Sequence, residues 1–291
     1  MCDNRPVDTP EIPLKGRPMS PAKSSRVAST VPLTDEPASQ TGNPDFVLSL
    51  ARGLSVIESF EGHHDGRSIV EIAQSTGLSR ASVRRLLLTL ELLGYVEHSR
   101  QVYRLKTQVL RLGFSYLSSS SVVEAARPVL EHITEQLHES SSMSMLDAGQ
   151  IVYVARSAAS RVLAAGLSVG SRLPAYYTSM GRVLLAALPD EKLAAYLHDL
   201  KPRAYTPKTL TRIPQIKKAI LQVRKAGYAI VDEELEAGLR SIAVPVSTRN
   251  NQVVAAINVG THISRVDRAT LIKRCLPALQ DGARTLRNIL I

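Results

Sequence analysis

The chain has 291 residues, enough for two domains, and 44% of them are hydrophobic, enough for a sizeable core. There is no tryptophan and only 4% of residues are aromatic, which argues against a carbohydrate-stacking cleft. Lys and Arg number 36 against 26 Asp and Glu, and the net charge of +10 favours an anionic partner, either nucleic acid or an acidic small molecule.

Residues 1–45 are rich in Pro, Ser and Thr and lack apolar periodicity, so a disordered tail is predicted. Its five basic residues are offset by six acidic ones, so it is not a basic arm. Order is expected to begin near Phe46, where Val47, Leu50, Leu54, Ile57 and Phe60 recur at helical spacing. Ser68-Ile69-Val70-Glu71 reads as a capping box that opens a short second helix, and Gly77 stops it. Ser79 then caps a third helix running to Gly94. Two helices joined by the tight turn Thr76-Gly77-Leu78 form a helix-turn-helix pattern.

The third helix is apolar at one end and cationic at the other. With Val83, Leu86, Leu87 and Leu90 turned inward, Ala81 and Arg85 point outward, and Ser82 and Arg84 flank them. Ser79, Arg80, Ser82, Arg84 and Arg85 therefore stand at the helix end that such folds push into a major groove. The runs YVEHS and QVYRL form a hairpin, with Arg100 near its tip and Arg104 on its second arm, in the position of a wing. These seven residues are the candidate contacts to double-stranded operator DNA. Three-helix units with glycine turns also occur as plain packing, but cap, turn, cationic face and wing coincide here. The positive charge is not concentrated in this unit: residues 46–113 carry nine basic and six acidic groups.

The expected division is a winged helix-turn-helix over 46–106, a linker helix over 107–121, and an α+β sensor domain over 122–291. In the last, Val122–Glu139 is helical despite Pro128. MSML and IVYVARS form a hairpin about DAGQ, and AAGLSVG reads as a further strand. Thr178–Leu188, Pro189–Leu197 and Arg212–Ala226 are predicted helices. GYAIVD, LRSIAVPVS and QVVAAINVG are predicted strands, and Asp267–Leu290 is a closing helix.

Thr178 can cap the helix that follows it, leaving the amides of Ser179, Met180 and Gly181 to form an anion site if that end faces a cavity. A plain capped helix, with Gly181 there for close packing, is the alternative. Asp232-Glu233-Glu234-Leu235-Glu236 reads as a solvated loop or an intersubunit ion pair rather than metal-binding or acid–base machinery. The basic run Lys201–Lys225 reads as a solvated helix face. No zinc-type spacing, phosphate-binding loop or dinucleotide fingerprint occurs, so no metal or cofactor is expected. The two cysteines, Cys2 and Cys275, make a disulfide framework improbable and suit a reducing cytoplasm. No apolar run is long enough to span a bilayer and no signal core opens the chain, so no membrane partner is expected.

SLARGLSVIESF, IVEIAQSTGLSRASVRRLLLTLELLGYV and GYAIVDEELEAGLRSIAVPV, in that order, resemble the IclR family of bacterial transcription factors over residues 46–291. IVYVARSA, GSRLPAYYTSMGRVLLAAL and EAGLRSIAVPV most resemble the subgroup governing aromatic-acid catabolism, the β-ketoadipate pathway regulators. The resemblance implies a winged helix, a linker helix and a GAF-like effector domain. It further implies a homodimer or homotetramer and a small organic-acid effector. Carried across residue by residue, it places Val162, Ala165, Ser179, Met180, Val231 or Asp232, Leu239, Ser241, Asn258 and Gly260 at the pocket. A buried carboxylate needs a charge-assisted partner, which adds Arg156 and Arg161. Tyr176 and Tyr177 are candidate walls. Two rival readings remain at this stage: an enzyme with an accessory winged helix, and a constitutive architectural DNA binder.

Overall fold

The computed structural model describes residues 45–159 and 167–290. The tail reading and Arg161, Val162 and Ala165 lie outside the described residues. Chain contacts divide the molecule into two compact units between Val109 and Leu110.

The first unit holds α1 (Leu48–Glu58), α2 (Ile69–Thr76), α3 (Arg80–Leu92) and a hairpin of β1 (Val96–Ser99) and β2 (Val102–Leu105). Ser68 and Glu71 complete the capping box, and Gly77 ends α2 at φ 76°, a conformation glycine adopts without strain. The Ser79 hydroxyl accepts the amide of Ser82 and opens α3. Val83, Leu87 and Leu90 are buried in α3 and Leu86 packs partly against them, so the inward stripe lies where its spacing put it. In α1 the spacing gives the helix but not its buried face. Val56 and Phe60 are buried, whereas Val47, Leu50 and Leu54 stand 60%, 62% and 47% exposed. Leu88 and Leu92 of α3 are exposed as well. Arg67, itself buried, ties the unit together: its guanidinium donates to the carbonyls of Ser59 and Glu71 and to the Ser75 hydroxyl, and its backbone bridges to Tyr103 in the wing.

The Glu71 carboxyl is held below the usual carboxylate range, chiefly by the backbone amide of Ser68 and then by the Ser68 hydroxyl. A carboxylate depressed in the fold stabilises it fully above the unfolded value and loses that contribution as pH falls through the folded value. Acidification from about pH 5 to pH 3 should therefore melt α2 earlier. Glu71→Gln should show a smaller fall in melting temperature over that range, and equal falls in both proteins would refute the assignment.

The second unit begins with α4 (Leu110–Ser119) and α5 (Ser121–Leu137). The α5 helix carries Pro128 in its interior. One antiparallel sheet follows, in the order β5-β4-β3-β8-β7-β6. Its strands are β3 (Ser140–Asp147), β4 (Gln150–Ser157), β5 (Arg172–Pro174), β6 (Ala229–Asp232), β7 (Leu239–Ser247) and β8 (Val253–His262). The AAGLSVG strand is not found where it is described. Leu167–Gly170 forms no strand, and the edge strand starts at Arg172, two residues after Gly170 turns the chain at φ 91°.

Strand alternation sorts the core into two layers. Ile242, Val244, Val246, Ala255, Ile257 and Val259 face α5 and the closing helix, α10 (Leu276–Ile289). That helix is reached through α9 (Arg268–Thr270) and a π-helical turn, Leu271–Cys275. The opposite parity carries small residues, Ala243 and Ala256, which pack beneath α6 (Ser179–Ala186), α7 (Asp190–Asp199) and α8 (Ile213–Ala226). The same parity continues along the strands to Ser241, Asn258 and Gly260. The α+β class with an N-terminal winged helix-turn-helix is the architecture the sequence predicts.

Candidate functional site

Where the small-residue face runs past the end of α6, it leaves a cavity. The cavity floor is a row of neighbouring strand positions, Arg156 on β4, Ser142 on β3 and Asn258 on β8, set side by side by the sheet register. A second row joins Ser140, Gly260, Ser241 and Val231 across β3, β8, β7 and β6. Tyr177, Thr178, Ser179 and Met180 close one side, Leu235 and Leu239 another, and Tyr153 and Leu167 complete the lining.

The polar groups are arranged to receive an acidic molecule. Thr178 caps α6 by accepting the amide of Gly181 at 3.1 Å, so that amide is not part of the anion site the sequence suggests. The amides of Ser179 and Met180, first in the helix, have no intrahelical acceptor and lie at the positive end of its dipole. Gly181 is required by packing, since a side chain there would collide with the backbone of Ala175. One guanidinium nitrogen of Arg156 donates to the Leu167 carbonyl at 2.8 Å, which aims the group at the cavity. Asn258 is 9% exposed, and its Oδ1 is buried without a partner among the described residues. Such an atom is costly unless something else bonds it. Burial pushes the Tyr153 phenol up to about 12, so it remains a hydrogen-bond donor at neutral pH. The Tyr177 phenol is raised too, first by burial and then by Tyr205.

In the first unit, Ser79, Arg80, Arg84, Arg85 and Arg100 are exposed and Ser82 is half-buried. Arg85 projects opposite Val83, Leu87 and Leu90, and Arg84 flanks it. Arg100 occupies the hairpin tip in a left-handed conformation, φ 47°. Arg104 is half-buried, and its side chain packs close over Gly66.

Sequence comparison matches residues 49–100 to the IclR helix-turn-helix domain and residues 114–288 to the C-terminal domain of bacterial transcriptional regulators of the IclR type. The chain belongs to the IclR family of bacterial transcriptional regulators. It is 44% identical to the Pca regulon regulatory protein of Pseudomonas putida, over 98% of each chain. A transcriptional regulator structure from Rhodococcus sp. RHA1 superposes with a TM-score of 0.76 at 46% identity, covering 84% of this chain and 98% of that one. The inducer-binding domain of the Acinetobacter regulator PobR, a double mutant in complex with 3-hydroxybenzoic acid, has a TM-score of 0.55 at 33% identity. That match covers 57% of this chain and 98% of the PobR domain.

In this IclR-family chain the cavity brings together Arg156, Tyr177, Ser179, Met180, Leu239, Ser241 and Asn258 from the residues predicted. Asp232 is a correction. Alternation along β6 sends Val231 to the cavity and Asp232 to the other face, where both its oxygens accept from Arg240, at 3.0 and 2.8 Å. Tyr176 is a second correction. Its hydroxyl turns to Arg203, donating to the carbonyl and accepting the amide, each at 2.8 Å. The acidic cluster is a third correction: neither a plain solvated loop nor paired across subunits, it is ion-paired within the chain, Asp232 with Arg240, Glu233 with Lys208 and Glu234 with Arg182. Sequence reasoning missed Ser140, Ser142, Tyr153, Leu167 and Leu235. The run Ser140-Ser141-Ser142 held a usable signal, since serines in a strand flanked by buried positions mark a face that is not filled by apolar packing. Among the described residues no group of three or more His, Cys, Asp or Glu is placed to hold a metal ion, and no helix is long and apolar enough to cross a membrane.

Proposed function

We propose that the chain is a ligand-responsive regulator of aromatic-compound catabolism, whose second unit takes a small organic acid and whose first unit holds operator DNA. One observation carries the effector reading. A cavity with one guanidinium, a helix N-terminus and the hydroxyls of Ser142, Ser179 and Ser241 sits in a domain related to an inducer-binding domain that holds 3-hydroxybenzoic acid. The acid's carboxylate is assigned to Arg156 and the amides of Ser179 and Met180. Ser241 and Asn258 take its other polar end, and Met180 and Leu239 its apolar body. The regulator works in the cytoplasm as a homodimer or homotetramer, because two recognition helices are needed to read two half-sites. Leu110 and Phe114, 70% and 68% exposed on α4, are the proposed seam, whereas Leu117 packs on the core of its own unit. Thermal-shift screening with protocatechuate, 4-hydroxybenzoate and β-ketoadipate tests the reading, since a bound acid raises the melting point by mass action. No shift with any of the three would refute it.

Gly260 supplies a sharper check. A side chain built on it meets nothing within 4 Å, and its φ is not in the left-handed region, so neither packing nor backbone requires glycine there. It keeps the cavity deep. Gly260→Val should leave the melting temperature of the free protein unchanged or higher, since β-branched residues suit strands. It should also abolish the shift given by the acid that binds the wild type. An undiminished shift would place the ligand elsewhere.

A further inference from the structure

Arg182 and Glu234 are two charged residues withdrawn from water, 4% and 7% exposed. Arg182 lies on α6 one turn after Ser179. It donates to Glu234 Oε2 at 2.6 Å and, through Nε, to the carbonyl of Tyr176 at 2.9 Å. Glu234 Oε2 also accepts the amide of Leu210 at 3.2 Å, and its carbonyl accepts the Thr209 hydroxyl at 2.6 Å. The preceding residue, Glu233, is held in a left-handed conformation, φ 56°, its carbonyl accepting the Thr206 hydroxyl and its carboxylate the Lys208 ammonium. Tyr205 in the same segment packs its ring on that of Tyr177, centroids 4.4 Å apart.

Stability alone is a poor reason for this arrangement. Removing two charges from water usually costs as much as their attraction returns, and an apolar pair of similar volume often does as well. A left-handed non-glycine residue persists only where its surroundings over-determine it, and such positions gather at ligand sites. Location supplies the reason here. Arg182 pins the turn Ala175–Tyr177, which delivers Tyr177, Thr178 and Ser179 to the cavity. Glu234 adjoins Leu235, which lines the facing wall between Val231 and Leu239.

We propose that the Arg182–Glu234 pair is a positioning device for the cavity: it fixes the spacing of the two walls, and through that the effector affinity, without touching the effector. The affinity part rests on the effector reading above. The wall-spacing part does not, and the experiment separates them.

The full-length protein is compared with the double variant Arg182→Met/Glu234→Leu, with Glu234→Gln and with Arg182→Lys. The first readout is hydrogen exchange without any ligand. The double variant should keep the amides of Ile242–Val246 and Ala255–Val259 as protected as in the wild type. Amides of 176–180 and 231–239 should exchange about tenfold faster, and Arg182→Lys, with one of the two donors lost, should show intermediate protection there. The second readout is titration with whichever of protocatechuate, 4-hydroxybenzoate and β-ketoadipate binds the wild type. The double variant should bind it about tenfold more weakly, with Arg182→Lys, which keeps the charge but not both donors, between it and wild type. Wild-type exchange in both walls of the folded double variant would overturn the proposal. So would a uniform rise that includes the core strands, which would make the pair a matter of stability only. If the double variant does not fold, Glu234→Gln is read by the same criteria. If no acid binds the wild type, the effector reading fails and exchange alone decides the wall spacing.

Discussion

Replacing Arg156 with Met is expected to weaken binding of the effector acid by about 10- to 150-fold, the value of one charge-assisted hydrogen bond of roughly 1.5–3 kcal/mol. The side chain is half-buried at the cavity, and one of its nitrogens is already committed to the Leu167 carbonyl. That commitment orients the guanidinium before the ligand arrives, so little rotamer entropy is lost on binding. Arg156→Lys keeps the charge but not the fork or the tether, and should fall between Met and wild type. Calorimetry measures both. Wild-type affinity in Arg156→Met, with Ser241→Val also unaffected, would mean that the carboxylate sits elsewhere.

Arg85→Ala, or Arg84→Ala, should weaken operator binding by roughly 1–3 kcal/mol and relax the preference at one base position. Both side chains are exposed near the N-terminal end of α3, Arg85 opposite its buried stripe of Val83, Leu87 and Leu90 and Arg84 beside it. One is expected on guanine edges and the other on a phosphate. The wing should behave differently. Arg100 at the hairpin tip meets phosphate, so Arg100→Ser should weaken specific and nonspecific DNA alike and reduce the salt slope by about 1. Gel-shift titrations at several salt concentrations distinguish the cases. Unchanged affinity in both α3 variants would remove this helix from the groove. A loss with Arg100→Ser on one operator only would make the wing a base reader.

The features the sequence determined are local ones. The capping box Ser68–Glu71, the left-handed Gly77 and the Ser79 cap each act within four residues, so the helix-turn-helix was legible from spacing alone. Ser241 and Asn258 came from the family resemblance rather than from spacing, and it is the β7–β8 register that sets them on one face. Tertiary structure decided what depends on partners far along the chain. The resemblance left Val231 and Asp232 as alternatives, and only pairing with β7, which sets Asp232 opposite Arg240, sends the carboxylate away from the cavity. Spacing also made α1 a helix without saying which apolar residues it buries, because that depends on what packs against it. Arg182 and Glu234 lie 52 residues apart, and no periodicity links them. A buried charge is tolerable only when its counter-charge is already in place. The sequence states each of these charges separately, and only the fold brings them together.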